Sequence, residues 1–212
     1  FVYDPCREVG GDFFNITKIG EHRYGIIIAD VEGHGVTASL ATGILKSAFS
    51  LLASSHSDDP VELVSRLNRH FGEVLSRKLF ATAYYMVIDT RESTIQLVKA
   101  GHPHPLIWKH GAGGFIPVNI KGPGLGIIHN AEYHVMKAKF EPGDKILLFT
   151  DGTIEQMNPG GEMYELERLT ELFASLIREN VADPVQRLHM DILRFAAGAP
   201  ITDDITLLCI EF

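Results

Sequence analysis

The residues with the clearest chemical potential are aspartates at the edges of strongly apolar segments. Asp30 directly follows the apolar stretch 26–29, and Asp151 directly follows the stretch 146–150. A strand fixes the carboxylate at its end, and a nearby glycine lets backbone oxygens and waters approach, as a hard divalent cation requires. The complete set of such acids is Asp12, Asp30, Asp151, Asp203 and Asp204.

Repulsion among these acids favours a bound cation if they gather in one place. Two carboxylates 4 Å apart repel by about 4 kcal/mol at an effective dielectric constant of 20. Few basic residues lie near them in the sequence, so cations are the better compensation. A ligand set made only of oxygen atoms selects Mg²⁺ or Mn²⁺ over zinc. The alternative is separate capping: Asp30 and Asp151 could each precede a helix, and Asp203 could form an Asx-turn.

Apolar periodicity predicts the elements that position these acids. Strands are expected at 13–19, 24–31, 80–89, 94–100, 105–109, 133–140, 145–149 and 205–212. Helices are expected at 36–53, from Pro60 onward, at 162–179 and at 184–197. The glycine- and proline-rich segment 111–128 is interpreted as a loop with one short strand. Because strands and helices cluster in blocks, the pattern predicts an α+β fold with two packed, mainly antiparallel β-sheets (a β-sandwich) flanked by α-helices.

Composition restricts the class of protein. The 212 residues are 45% hydrophobic and 22% charged, which excludes disordered and low-complexity classes and predicts a single domain at 1–212. The chain is expected to be the C-terminal output domain of a longer signalling protein. Its net charge of −8 disfavours nucleic acid as the main partner. No apolar run approaches the ~20 residues of a membrane span, and Cys6 and Cys209 are expected to be reduced thiols.

Five short motifs occur in the order seen in one known family. They are Val-Gly-Gly-Asp-Phe-Phe at 9–14, Ala-Asp-Val-Glu-Gly-His-Gly-Val-Thr-Ala at 29–38, Ala-Gly-His-Pro-His-Pro at 100–105, Phe-Thr-Asp-Gly at 149–152 and Asp-Asp-Ile-Thr at 203–206. With these motifs the chain resembles the SpoIIE/RsbU-type bacterial branch of the protein phosphatase 2C (PPM) family. The resemblance implies a PP2C-like αββα fold with a binuclear Mn²⁺ or Mg²⁺ centre at one edge.

The resemblance also implies a role for each motif residue. Asp30 would bridge the two metals, and the backbone carbonyl of Val31 would join one of them. Asp151 and Asp203 would hold the other metal. Asp12 would serve the metal on the Val31 side, directly or through water, so that Asp12 and Asp30 are the expected catalytic acids. Residues expected to support the site without binding metal are Asp204, Gly33, His34 and Gly152.

Two departures from the family pattern bear on activity. Asn15 stands where a second acid often follows the Gly-Gly-Asp motif, and Glu32 stands where a small residue is usual. Neither removes an expected metal ligand, so the catalytic interpretation is kept. Arg7 lies five residues before Asp12 and could reach a substrate phosphate, although an ordinary surface arginine is the alternative.

A His-x-His pair offers a second, weaker metal interpretation. His102 and His104 could bind zinc if further ligands were present. They alternate with Pro103 and Pro105 in a motif that the family uses as a structural loop, which favours a structural role. The segment 122–126, Gly-Pro-Gly-Leu-Gly, lacks the Lys-Ser/Thr of a phosphate-binding P-loop and is interpreted as a turn-rich connection.

The expected function is that of a metal-dependent serine/threonine protein phosphatase in the bacterial cytoplasm. Two cations that share a carboxylate turn a bound water into hydroxide near neutral pH, and this hydroxide attacks phosphorus without a covalent intermediate. The expected substrate is a phosphorylated regulatory protein such as an anti-sigma-factor antagonist. An upstream sensory or receiver domain is expected in the parent chain, without nucleic-acid or membrane contact, and a homodimer is left open. The alternatives are a non-catalytic partner-binding or sensor output module and a two-metal hydrolase of phosphodiesters or nucleotides.

Overall fold

The described strands form two five-stranded antiparallel sheets in the computed structural model, which describes residues 1–6, 8, 10–33, 35–55, 59–74 and 79–212. In chain order the strands are β1 (Val2–Asp4), β2 (Asp12–Lys18), β3 (Arg23–Val31), β4 (Ala81–Asp89), β5 (Thr94–Ala100), β6 (Leu106–Lys109), β7 (Gly114–Ile116), β8 (Val135–Lys139), β9 (Lys145–Phe149) and β10 (Ile205–Glu211). The helices are α1 (Val36–Ser55), α2 (Pro60–Val74), α3 (Gly152–Glu155), α4 (Leu166–Arg178) and α5 (Pro184–Ala196).

The chain divides into two compact units, each with its own sheet and helices. The central unit comprises Val9–His104 and Asn119–Glu141. The terminal unit comprises Phe1–Glu8, Pro105–Val118 and Pro142–Phe212. A single domain spanning 1–212 stays a prediction.

The sheet of the central unit has the strand order β2-β3-β4-β5-β8 and is covered by α1 and α2. Ile27, Ala29 and Val31 of β3 belong to one buried cluster with apolar residues of both helices. Because side chains alternate between the two faces of a strand, Ile28 and Asp30 lie on the face opposite these helices. This alternation is what directs the Asp30 carboxylate away from the helix-covered core.

The sheet of the terminal unit has the order β1-β10-β9-β6-β7. Leu147 and Phe149 of β9 and Leu207 of β10 are buried in one cluster with Phe173 of α4 and Leu188 of α5. Both helices direct one apolar stripe at this cluster, as amphipathic helices of a globular fold do. The short strand β1 extends this sheet by pairing with β10.

Local capping explains where two of the helices begin. The Asp59 carboxylate accepts hydrogen bonds of 3.0 Å from the N–H groups of Val61 and Glu62 at the start of α2. The Asp183 side chain accepts from the N–H of Gln186 at 3.1 Å at the start of α5. Each cap satisfies donors that the first helical turn leaves without an intrahelical partner.

The structure confirms the α+β fold with two antiparallel sheets, and most predicted elements lie within a few residues of their predicted bounds. The strands expected at 94–100 and 145–149 have those bounds, and β7 is the short strand expected within 111–128. The helix expected at 162–179 starts only at Leu166, because Glu162 donates its N–H to Asn158 in a turn and Glu165 has a non-helical backbone with a φ of 67°. The four-residue helix α3 agrees only with the capping alternative, in which Asp151 precedes a helix.

One helix is long and apolar enough to pass a test for membrane spans, although the sequence analysis found no uninterrupted apolar run of that length. By length and composition alone, α1 is apolar enough over Val36–Ala53 to cross a membrane. Leu45 and Phe49 of this helix are buried in the core of the central unit. A core helix passes the same test, so this is weak evidence for a membrane span.

Candidate active site

The central unit brings two of the predicted acids face to face. Asp12 on β2 is directly opposite Asp30 on β3 in the antiparallel register. Such opposed residues share one face of the sheet, with Cβ atoms about 4.5–5.5 Å apart. Asp12 is buried and Asp30 is half-buried. Strand register therefore places two carboxylates side by side although they are 18 residues apart in the sequence.

A backbone carbonyl lies close to this acid pair. A Cβ atom added at Gly11 would lie 2.7 Å from the Val31 carbonyl oxygen and 3.4 Å from Oδ1 of Asp30. Only glycine lets the β2 backbone approach these oxygens so closely. Carboxylate and carbonyl oxygens are the ligands that hard divalent cations take, so this cradle fits the expected metal.

Two hydroxyl groups on α1 hold the glycine pair in place. Oγ of Ser39 lies 3.2 Å from the Gly10 carbonyl and 2.9 Å from that of Gly35, and Oγ1 of Thr42 lies 2.9 Å from the carbonyls of both Gly11 and Ala38, so each hydroxyl shares its one proton between two acceptors. The N–H of Val31 donates to the same Gly11 carbonyl at 3.2 Å. The sequence analysis missed Ser39 and Thr42, for which the available signal was a three-residue spacing that puts both on one helix face.

The terminal unit holds the other predicted acids in turns beside β9 and β10. Asp151 follows β9, and its Oδ1 accepts from the N–H of Gly152 at 3.0 Å at the start of α3. Oδ1 of Asp203 accepts from the N–H of Asp204 at 2.8 Å, and Oδ1 of Asp204 accepts from the N–H of Cys6 at 2.8 Å. The capping alternative therefore holds in part for Asp151. A carboxylate offers about four acceptor sites, so one such bond leaves room for a metal.

Gly152 permits the close approach of these turns. A Cβ atom added there would lie 2.2 Å from the Asp204 carbonyl oxygen and 3.1 Å from Cβ of Asp203. The adjacent strands are linked by Thr150, whose N–H donates to the Thr206 carbonyl at 3.2 Å and whose Oγ1 accepts from the Thr206 N–H at 3.1 Å. The motifs at 149–152 and 203–206 thus meet at one end of the β9–β10 pair.

The predicted acids therefore fall into two groups, one in each unit. Within the part of the chain that the structure describes, no single group of three or more His, Cys, Asp or Glu side chains is arranged to hold a metal ion. Gly33 has a φ of +96°, a left-handed conformation that favours glycine. Arg7 and His34, the expected phosphate-binding and supporting residues, lie outside the described residues.

The two departures from the family pattern have ordinary surroundings. Oδ1 of Asn15 accepts from Oγ1 of Thr17 at 2.6 Å on the same strand. Glu32 is exposed, and its N–H donates to the Phe80 carbonyl at 3.0 Å.

The histidines of the Ala-Gly-His-Pro-His-Pro motif have separate partners. Nδ1 of His102 lies 2.7 Å from Oγ1 of Thr82, and Nε2 of His104 lies 3.2 Å from Nζ of Lys99. Burial lowers the pKa of His104, and the positive charge of Lys99 lowers it further. Separate partners fit a structural loop better than a shared zinc ion.

Comparisons with known proteins agree with this fold. The structure of the SiaA-PP2C domain of Pseudomonas aeruginosa superposes with a TM-score of 0.89 at 21% identity, covering 100% of this chain and 84% of that one. The fold is thus that of the PP2C domains. The sequence profile described as Stage II sporulation protein E (SpoIIE) matches residues 20–212. The chain belongs to the SpoIIE family.

Two relatives from Bacillus subtilis (strain 168) cover most of the chain. Phosphoserine phosphatase RsbP is 31% identical over 195 residues, which are 90% of this chain and 45% of RsbP. Phosphoserine phosphatase RsbU is 26% identical over 207 residues, which are 98% of this chain and 61% of RsbU. The chain thus spans about half the length of these relatives.

Proposed function

We propose that this chain is a metal-dependent protein phosphatase that hydrolyses phosphoserine or phosphothreonine. The observation that carries the proposal is the pair Asp12 and Asp30, placed opposite each other with the Val31 carbonyl oxygen close to Gly11. Membership of the SpoIIE family and similarity to two proteins named phosphoserine phosphatases support the activity. This chain spans about half the length of those relatives, so the activity in their names is proposed for it.

The donor chemistry of the two acid groups fits Mn²⁺ or Mg²⁺. In the central unit, Asp12, Asp30 and the Val31 carbonyl would be the metal ligands, and in the terminal unit the expected ligands are Asp151 and Asp203. All of these donors are oxygen atoms, which favours a hard cation over zinc. When bound, the two ions supply a hydroxide nucleophile near neutral pH and neutralise charge on the phosphoryl oxygens.

The residues of the chain position this chemistry. The Thr42 and Ser39 hydroxyls contact the Gly11 and Gly10 carbonyls, and the N–H of Val31 donates to the Gly11 carbonyl, which supports the backbone just before Asp12. The bond from the Gly152 N–H holds one oxygen of Asp151 in a defined orientation. Preorganised ligands lose little conformational freedom when they bind, which strengthens binding.

Cys209 is disfavoured as a nucleophile. Burial raises the pKa of Cys209 to about 11, so its thiol is protonated at neutral pH. A protonated thiol is a poor nucleophile. The proposed nucleophile is a solvent molecule activated at the acid groups.

The family resemblance suggests a substrate and a cellular context. The substrate would be a bacterial regulatory protein phosphorylated on serine or threonine, such as an anti-sigma-factor antagonist, in the cytoplasm. The net charge of −8 disfavours nucleic acid as a competing substrate class. An upstream sensory or receiver domain in the parent chain would regulate the activity.

The test is hydrolysis of p-nitrophenyl phosphate and of a phosphoserine peptide in Mn²⁺. We expect turnover that EDTA abolishes and that Asp30→Asn reduces by at least a hundredfold, about 2.7 kcal/mol of barrier. Asp89→Asn is the matched control: Asp89 lies at the other end of the β3–β4 pair, opposite Arg23. Activity that survives EDTA or Asp30→Asn would refute the proposal.

The same experiment separates the alternatives. A non-catalytic module would show no turnover in excess Mn²⁺ and fewer than two bound metals by calorimetry. A phosphodiesterase would hydrolyse bis-p-nitrophenyl phosphate faster than the phosphopeptide.

A further inference from the structure

A buried polar pair lies next to the acid pair of the central unit. Oγ1 of Thr82 and Nδ1 of His102 are 2.7 Å apart, and His102 is only 1% exposed. Thr82 on β4 is directly opposite Asp30 on β3, just as Asp12 on β2 is opposite Asp30 on its other side. Opposed residues share one face of a sheet, so the Thr82 side chain is the neighbour of the Asp30 carboxylate on the third strand.

The backbone around His102 is fixed by the glycine-rich segment 122–125. The N–H of Gly101 donates to the Gly122 carbonyl at 2.9 Å. Gly101 has a φ of +76°, and a Cβ added there would lie 3.0 Å from both N and Cα of Gly124. Leu125 exchanges two backbone hydrogen bonds of 3.1 and 2.7 Å with Ala81, the residue before Thr82. The segment therefore holds His102 and Thr82 in one rigid arrangement.

We propose that His102 is a positioning residue that orients the Thr82 hydroxyl toward Asp30. In the tautomer with hydrogen on Nδ1, His102 donates to Oγ1 of Thr82. The hydroxyl then keeps its own proton to donate to an Asp30 oxygen, because a threonine hydroxyl has one donor and two acceptor sites. The bond would fix the rotation of a carboxylate that the proposed function assigns to the metals, and the inference rests on that function.

The consequence is a metal affinity that depends on the hydroxyl of Thr82. Partners that orient metal ligands typically contribute ten- to a hundredfold to metal affinity or activity. In the opposite tautomer Thr82 would donate its proton to His102, and its hydroxyl would have none for Asp30. The two arrangements therefore predict different results when the hydroxyl is removed.

The test is Mn²⁺ binding to the complete chain, measured by titration calorimetry without substrate. Thr82→Val replaces the hydroxyl with a methyl group of similar size, and we expect the Mn²⁺ dissociation constant to rise at least tenfold. Thr82→Ser keeps the hydroxyl and should bind within about threefold of the unmodified chain. Thr17→Val is the matched control, because Thr17 also has a hydroxyl on this sheet but bonds Asn15 instead.

A second set of variants removes the His102 side chain and then restores its N–H group with asparagine. His102→Ala should weaken Mn²⁺ binding as Thr82→Val does, whereas His102→Asn places an N–H near the Nδ1 position and should restore it. The double variant His102→Ala/Thr82→Val should be no weaker than either single variant, because both changes remove one interaction. Thermal unfolding without metal checks that each variant folds, and the Thr82 series decides the question if His102→Ala does not.

The outcomes separate this inference from the proposed function. Mn²⁺ binding by the unmodified chain with no change in Thr82→Val, or an equal loss in Thr82→Ser, would overturn the positioning role alone. An equal loss in Thr17→Val would overturn it too, since the effect would not be specific to Asp30. Absence of Mn²⁺ binding by the unmodified chain would overturn both.

Discussion

The two units hold their acids by different means. In the central unit, Asp12 and Asp30 meet because two strands pair in one register. In the terminal unit, Asp151 and Asp204 accept backbone N–H bonds in turns at the ends of β9 and β10. Strand pairing thus brings Asp12 and Asp30 together, whereas Asp151 and Asp204 are seen as hydrogen-bond acceptors in turns.

Substitutions in the two units should therefore affect activity and folding stability differently. Replacing Asp12 or Asp30 in the central unit should remove a metal ligand. Replacing an acid of the terminal unit should also remove an acceptor from a turn. The sole tryptophan of the chain, Trp108 on β6, lies in the terminal unit, so its fluorescence reports on the unfolding of that unit.

The largest effect is expected for Gly152→Ala. The added Cβ would lie 2.2 Å from a backbone oxygen, far inside van der Waals contact, so the turn must move. We expect a loss of more than about 3 kcal/mol in the free energy of unfolding of the terminal unit, at the upper end of single substitutions. Urea unfolding followed by Trp108 fluorescence measures it, and an unchanged midpoint would show that the turn adapts freely.

A smaller effect on stability is expected for Gly11→Ala in the central unit. Its Cβ would lie 2.7 Å from the Val31 carbonyl oxygen, and overpacking of this degree typically costs about 1–3 kcal/mol. Because the Val31 carbonyl would be displaced, Mn²⁺ affinity should also fall, and by more than the partial unfolding of the variant would explain. Calorimetric titration with Mn²⁺ checks this, with Gly43→Ala as the control because no atom lies within 4 Å of a Cβ there. Unchanged Mn²⁺ affinity in Gly11→Ala would show that the Val31 carbonyl is not a metal ligand.

Substitutions of Asp151 test whether one acid both binds metal and caps α3. Asp151→Asn keeps an oxygen that can accept from the Gly152 N–H, so stability should hold while Mn²⁺-dependent activity is lost. Asp151→Ala removes this acceptor as well and should cost about 1 kcal/mol more, as lost helix caps do. Comparison of urea midpoints for the two variants measures the cap. Full activity of Asp151→Asn would exclude Asp151 from the metal site.

The smallest effect is a pH dependence at Cys209. Burial raises the pKa of this thiol from 9.0 to about 11, so the unfolded chain loses the proton first as pH rises. The stability contributed by the buried neutral thiol is therefore present below pH 9 and is lost between about pH 9 and pH 11. Urea unfolding at pH 8 and pH 10 should show a larger drop for the unmodified chain than for Cys209→Ala. An equal drop would show that the thiol does not titrate with folding.

Much of the fold could be predicted from the sequence, because the periodicities of strands and helices depend on residues close together in the chain. The strands at 94–100 and 145–149 were predicted with their observed bounds. The start of α4 was predicted four residues early, because no local pattern signals the bond from the Glu162 N–H to Asn158 or the non-helical backbone of Glu165, whose φ is 67°. Only the capping alternative for Asp151 allowed for α3, because four residues carry too little periodicity to signal a helix.

The sequence by itself determined which residues could do the chemistry: aspartates at strand ends, glycines beside them and motifs in a family order. Only the tertiary structure decided that Asp12 faces Asp30, that Gly11 approaches the Val31 carbonyl and that Thr82 pairs with His102. The physical reason is that strand register and loop contacts join residues far apart in the chain. Their geometry is set by the burial of whole sheet faces rather than by any local pattern.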